Sequence, residues 1–173
     1  MDSRRILITG AGSGIGAELA ALLAAAGHEV IATDIDRAAA LSVADAIVER
    51  GGAAVAYGLD VTQPSAVETA MRAAGRVDVL VNNAGLQHVA RLEEFPADRW
   101  ALLVAVMLTG AANMTRAVLP GMRAGNFGRI VNIGSIHSLV ASPFKSAYIA
   151  AKHGLIGLSK TLALENGDVD ITV

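Results

Sequence analysis

Residues 6–16 read Ile6-Leu7-Ile8-Thr9-Gly10-Ala11-Gly12-Ser13-Gly14-Ile15-Gly16, and an alanine- and leucine-rich run from Ala17 to Ala26 follows, closed by Gly27. An apolar run of strand type, a glycine loop and a helical pattern ending at the residue a helix C-terminus prefers make one strand–loop–helix unit. That context turns a glycine pattern into a phosphate-binding expectation. Glycines let the backbone approach a pyrophosphate closely, and the helix amino terminus offers unpaired N–H groups at the positive end of its dipole. The spacing is G-x-x-x-G-x-G at Gly10, Gly14 and Gly16, with Gly12 between, and not the commoner G-x-G-x-x-G.

Working outward, His28 to Asp34 reads as a second strand ending in an acid, eighteen residues after the last loop glycine. A carboxylate at that distance suits the two hydroxyls of an adenosine ribose and repels a 2′-phosphate, which favours NAD over NADP. Asp34 could instead cap the next helix, a role open equally to Asp36. Strand patterns recur near 4–9, 29–34, 54–60, 77–82 and 129–134, with a stub at 170–173. Helical patterns fill roughly 15–26, 36–50, 64–74, 97–124 and 146–165. Pro64 and Pro96 fall where first-turn prolines are tolerated, and Pro120 is expected to kink or close the long helix. This alternation predicts an α/β fold, a Rossmann-type doubly wound parallel sheet with helices on both faces and right-handed crossovers. No linker or repeat divides it, so residues 1–173 read as a single domain.

The composition is 53% hydrophobic and 17% charged, an apolar bias that suits parallel strands covered on both faces. A net charge of −2 supplies no basic field for nucleic acid. The absence of cysteine excludes disulfides, thiol nucleophiles and cysteine-based metal sites, and no His/Asp/Glu spacing suggests another metal site. Arg4-Arg5 and the apolar residues after them imitate a secretory signal, but Thr9, Ser13, the glycines and Glu18 interrupt it. The run Trp100–Leu108 reads as too short to cross a bilayer. A cytoplasmic protein with no membrane partner is expected.

Near the other end, Ser135 to Lys152 reads S-I-H-S-L-V-A-S-P-F-K-S-A-Y-I-A-A-K. Tyr148 and Lys152 are four apart and share a helix face. An ammonium beside a phenol favours the phenolate, which makes Tyr148 a candidate general acid/base. Ser135 closes the apolar run Arg129–Ser135, placing its hydroxyl at the carboxyl end of the sheet, where open α/β folds bind ligands.

Together, T-G-A-G-S-G-I-G, the Leu59-Asp60-Val61 strand end, Asn82-Asn83-Ala84-Gly85 and S-x12-Y-x3-K resemble the short-chain dehydrogenase/reductases, in the family's order and along the whole chain. The resemblance implies that Gly10, Ser13, Gly14, Ile15 and Gly16 hold the NAD pyrophosphate and that Asp34 holds the adenosine ribose. Asp60 and Val61 would line the adenine pocket, and Asn83, Ala84 and Gly85 would border the nicotinamide ribose. Ser135 would orient the substrate oxygen, Tyr148 exchange its proton, and Lys152 hold the ribose hydroxyls beside Tyr148.

Within that family, Leu86-Gln87-His88-Val89, S-I-H at 135–137 and Ala141–His153 look like the D-3-hydroxybutyrate dehydrogenases. This implies that Gln87, His137 and Lys145 grip the carboxylate of a small 3-hydroxy acid. Each also reads as an ordinary loop or turn residue. Two departures stand out. Met107 occupies the place of an asparagine that helps the family hold a relay water, and Asn113, six residues on, faces elsewhere. The chain also stops where family members continue with a substrate lid and a last strand, so it reads as C-terminally incomplete. Apolar positions Val104, Leu108, Ala112, Ile149, Leu155 and Leu158 imply a homodimer or homotetramer interface. The expected activity is NAD-dependent oxidation of D-3-hydroxybutyrate. Alternatives are a non-catalytic dinucleotide-binding or oligomerising remnant, or a dehydrogenase for another 3-oxo compound or a sugar.

Overall fold

The computed structural model describes residues 3–173. Alternate side chains of each strand point to opposite faces of the sheet, and here both faces are covered. Leu7, Ile31, Leu80 and Ile130 are buried on one face against Val67, Met114, Val118 and Met122. Ile6, Ile8, Val30, Ala32 and Val81 are buried on the other against Ala20, Ala24 and Ile47. The strands are β1 (Arg5–Thr9), β2 (Glu29–Asp34), β3 (Ala53–Gly58), β4 (Val79–Asn82), β5 (Gly128–Asn132) and β6 (Ile171–Thr172). They form one parallel sheet in the order β3-β2-β1-β4-β5-β6. The order reverses between β1 and β4, which opens a crevice at their carboxyl ends.

The helices are α1 (Gly14–Ala25), α2 (Arg37–Glu49), α3 (Pro64–Ala74), α4 (Ala97–Val104), α5 (Gly110–Ala124) and α6 (Ser146–Glu165). Pro64 sits in the first turn of α3, and Gly27 takes a φ of +89° just after α1. Several expected boundaries shift. β3 ends at Gly58, so Leu59, Asp60 and Val61 lie past the strand, and β5 ends at Asn132, three residues before Ser135. Pro96 is the N-cap of α4 instead of a first-turn residue. Pro120 does not close α5, which runs on to Ala124.

The stretch 97–124 is helical throughout but carries a π-turn at Ala105–Thr109, in which the Gly110 N–H reaches back to the Ala105 carbonyl. A Cβ at Gly110 would fall 2.6 Å from Val61 Cγ2, so glycine is what lets this helix pack against the turn after β3. Asn113 completes that contact from the buried side, donating to the Val61 carbonyl at 3.0 Å. By length and composition Ala97–Ala124 is long and apolar enough to cross a membrane, so the argument from the short Trp100–Leu108 run does not hold. Its residues Met114, Val118 and Met122 are packed into the core of this fold.

Candidate active site

The glycine loop is held from two sides. Thr9, buried at the end of β1, accepts at Oγ1 from the Asn83 and Ala84 N–H groups, each at 3.0 Å. Asn83 returns the bond, its Nδ2 donating to the Thr9 and Gly10 carbonyls at 3.0 and 3.1 Å. From β2, Asp34 accepts the Gly12 N–H at 2.9 Å and the Asp36 N–H at 3.0 Å. The helix cap falls to Asp36, which accepts from Ala38 and Ala39, so the choice between Asp34 and Asp36 left open above is settled. Two neutral N–H donors do not fill the four lone-pair positions of the Asp34 carboxylate.

These elements enclose a cavity of about 490 Å³ lined by Gly10, Ser13, Ile15, Asp34, Asp60, Val61, Asn83, Ala84 and Gly85. Gly14 and Gly16 lie in the first turn of α1 beside it without lining it. Ser13 is the N-cap of α1 yet makes no side-chain capping bond, leaving the helix's first N–H groups open for an anion. A cavity of this size, with an open helix amino terminus and a carboxylate on the neighbouring strand, fits a dinucleotide. Ile35, Leu59, Leu86, Leu102 and Val106 also line it. Reading the sequence missed them. Ile35 carried a signal, being an apolar residue directly after the strand-ending Asp34, and it is 74% exposed.

At the other end of the crevice, Ser135 caps a short 3₁₀ turn, Ile136–Ser138. Its Oγ accepts the His137 N–H at 3.2 Å while its own N–H donates to Ser138 Oγ at 3.0 Å. As Oγ is engaged only as an acceptor, its hydrogen remains free for a substrate oxygen. Tyr148 and Lys152 project from α6, with Lys152 Nζ 5.7 Å from the Tyr148 ring centroid. Lys152 is only 6% exposed, and this burial lowers its pKa from the ordinary lysine value. Its ammonium donates to the Ile133 carbonyl just past β5. Beside it lies a cavity of about 10 Å³, room for a single water, lined among others by Asn82, Met107 and Lys152. Met107 and Lys152 thus line the same small cavity.

His137 and Lys145 come together, Nζ to Nε2 at 3.3 Å. An ammonium can only donate, so Nε2 accepts and the ring proton resides on Nδ1. Nδ1 is buried and has no partner. The His137 ring stands edge-on to Tyr148, centroids 6.2 Å apart. Gln87 does not join this pair among the described residues. It is exposed, with its Oε1 accepting the N–H of His88 at 3.0 Å. Of the apolar positions read as an interface, Leu155 is buried within the chain itself.

A doubly wound parallel sheet with an open crevice at its switch point, and with Tyr148 and Lys152 on the helix packed against the turn that Ser135 caps, has the architecture of a nucleotide-dependent oxidoreductase. The family profile for short chain dehydrogenase matches residues 4–173, and the chain belongs to that enzyme family. It is 43% identical to the D-beta-hydroxybutyrate dehydrogenase of Cupriavidus necator over 99% of this chain and 68% of the relative. The enzyme of the same name from Rhizobium meliloti is 40% identical, over 99% of this chain and 69% of the relative. An uncharacterised oxidoreductase of Bacillus subtilis is 45% identical, over the full chain and 69% of the relative. The chain thus spans a little over two thirds of the length of these relatives.

Proposed function

We propose that the chain is an NAD-dependent dehydrogenase that interconverts D-3-hydroxybutyrate, or a similar small 3-hydroxy acid, with its 3-oxo acid. The observation that carries this reading is the His137–Lys145 pair beside Tyr148. A cation seated against an imidazole next to the proposed proton acceptor matches an anion attached to a short carbon chain.

The residues act as follows. Lys145 Nζ, which His137 Nε2 holds in place, binds the carboxylate, which sets the substrate hydroxyl near Tyr148. Ser135 Oγ donates to that oxygen as its negative charge grows. The Tyr148 phenolate accepts the hydroxyl proton while hydride leaves the carbon, and in the reverse direction Tyr148 returns it. Lys152, buried 5.7 Å from the Tyr148 ring centroid and anchored on the Ile133 carbonyl, keeps its amine beside the proton acceptor. The nicotinamide, when bound, supplies the hydride acceptor. Ser13 and the loop glycines suit its pyrophosphate, and Asp34 suits an unphosphorylated adenosine ribose, which supports NAD over NADP.

Assembly as a homodimer or homotetramer through α5 and α6 belongs to the same reading. An apolar groove of about 500 Å³ there, lined by Ala112, Leu119, Pro120, Leu158 and Leu162, supports it.

The test is NADH formation from D-3-hydroxybutyrate, its L enantiomer and 2-butanol, a carboxylate-free counterpart. Turnover confined to the D acid is expected. Equal turnover of 2-butanol refutes the carboxylate clamp, and NADH binding without turnover of any of the three favours a non-catalytic remnant.

A further inference from the structure

Lys145 follows a backbone anomaly. Ser142 to Lys145 makes a turn with Pro143 at its second position and Phe144 at its third. Phe144 has φ +66°, the left-handed region. The third position of a type II turn demands such a φ, and glycine or asparagine usually supplies it. A bulky aromatic side chain there is strained, at a cost glycine escapes. Strain of this kind persists only where surrounding contacts impose it.

Two contacts do so, both from the loop after β4 that carries Gln87. The Phe144 carbonyl accepts the Ala90 N–H at 3.0 Å. The Arg91 guanidinium lies over the Phe144 ring, 5.5 Å from its centroid, within range of a cation–π attraction. Glycine would make the turn without strain but would leave Arg91 without the ring, with only the Glu93 carboxylate at 3.9 Å beside it. The chain keeps the ring and accepts the strain.

We propose that Phe144 is a positioning residue. Its left-handed backbone aims Lys145 at His137, and its ring and carbonyl latch the Lys145 loop to the loop after β4, so that the ammonium is in place before the acid arrives. This rests on the carboxylate clamp proposed above. Phe144 touches no reacting atom and acts through Lys145. Side chains that must be ordered on binding weaken it, and a latch removes that penalty in advance.

The experiment is a double-mutant cycle read by binding, which is independent of turnover. The dissociation constant of D-3-hydroxybutyrate is measured in the presence of NADH, a pair that cannot react, from NADH fluorescence. Variants are Phe144→Gly, Phe144→Tyr, Lys145→Met and the Phe144→Gly/Lys145→Met double, each with a thermal melt. Lys145→Met is expected to weaken acid binding by about 10- to 150-fold, the loss of a charge-assisted hydrogen bond. Phe144→Gly is expected to weaken it by roughly 2- to 13-fold, the re-ordering of one long side chain, with NADH affinity and melting temperature preserved. Phe144→Tyr retains wild-type binding. On the Lys145→Met background Phe144→Gly adds nothing, because the two act through one contact.

If Lys145→Met binds as tightly as wild type, or wild type shows no binding, the clamp itself fails and the proposal with it. If Lys145→Met weakens binding while Phe144→Gly does nothing, or weakens both backgrounds by the same factor, the clamp stands and the positioning role is overturned.

Discussion

Replacing Gly16 by alanine tests how tightly the glycine loop is built. A Cβ at Gly16 would lie 2.2 Å from the Gly10 carbonyl oxygen and 2.7 Å from Asn83 Nδ2. The first gap must open by about 0.8 Å merely to reach 3.0 Å, below which real Cβ contacts are essentially absent. The obstructing atom is backbone, and Asn83 holds it in place, so relief requires α1 to move off the loop. Alanine in a helix gains about 1 kcal/mol over glycine. Overpacking of this kind costs ~1–3 kcal/mol, which leaves a net loss of up to about 2 kcal/mol. For a chain of this size that lowers the melting temperature by up to roughly 8 °C. The effect on cofactor binding is expected to be larger, because displacing a binding element by about 1 Å can cost a hundredfold. Gly14→Ala is the control. Its Cβ would meet nothing within 4 Å, and only its φ of +53° stands against it, a penalty of about 1–2 kcal/mol. Thermal melts and NADH fluorescence titrations of the two variants measure both effects. A Gly16→Ala protein that binds NADH with wild-type affinity refutes the argument from close approach.

Three further outcomes are expected. Asp34→Asn weakens NADH binding by about 10-fold or more and narrows its preference over NADPH, since a charged acceptor is replaced by a neutral one; parallel titrations with both cofactors measure it. Met107→Asn raises turnover, by setting an amide beside the one-water cavity at Lys152, and lowers the melting temperature, because a buried amide left partly unpaired costs ~1–3 kcal/mol. Lys152 gives a pH signature. Burial lowers its pKa, so between that lowered value and the ordinary ~10.4 the unfolded chain binds more protons and stability rises with pH. Lys152→Met removes the rise, as urea midpoints from neutral to alkaline pH will show, and an unchanged slope contradicts the burial argument.

The parallel sheet was legible in the sequence because buried parallel strands read as apolar runs and helices as longer mixed segments, so β2 was placed residue for residue. Boundaries failed where apolar character outlasts the ladder. Ile133 continues the run of β5, yet pairing stops at Asn132 and the chain turns into the 3₁₀ turn that presents Ser135. The glycine loop and Asp34 were legible as local patterns, a strand–loop–helix unit and an acid ending the next strand, and the Gly12 N–H bond to Asp34 brings the two together. Leu102 and Val106 were not, since an apolar residue on a helix reads the same whether it faces the core or a cofactor cavity. The π-turn at Ala105–Thr109 also left no mark in the local sequence; directly after it Gly110 packs on Val61, a residue far away in the chain. Phe144 defied local reading most directly, since propensity assigns its conformation to glycine and only Ala90 and Arg91 explain the exception.

The reciprocal bonds between Thr9 and Asn83 join residues 74 apart in the chain. The crevice is complete only when that long loop has closed and set the Asn83–Gly85 side against the glycine loop, so any ligand that touches both sides binds after that entropic cost is met. A dinucleotide therefore recognises only a chain that has already brought β1 and β4 together, and its binding energy adds to the stability of the whole sheet as RT ln(1 + [L]/Kd). At a hundred times its dissociation constant the cofactor would offset about 2.7 kcal/mol of destabilisation anywhere between those strands. Core substitutions that unfold the ligand-free chain are then offset by any ligand the crevice holds, in proportion to the logarithm of its concentration over Kd.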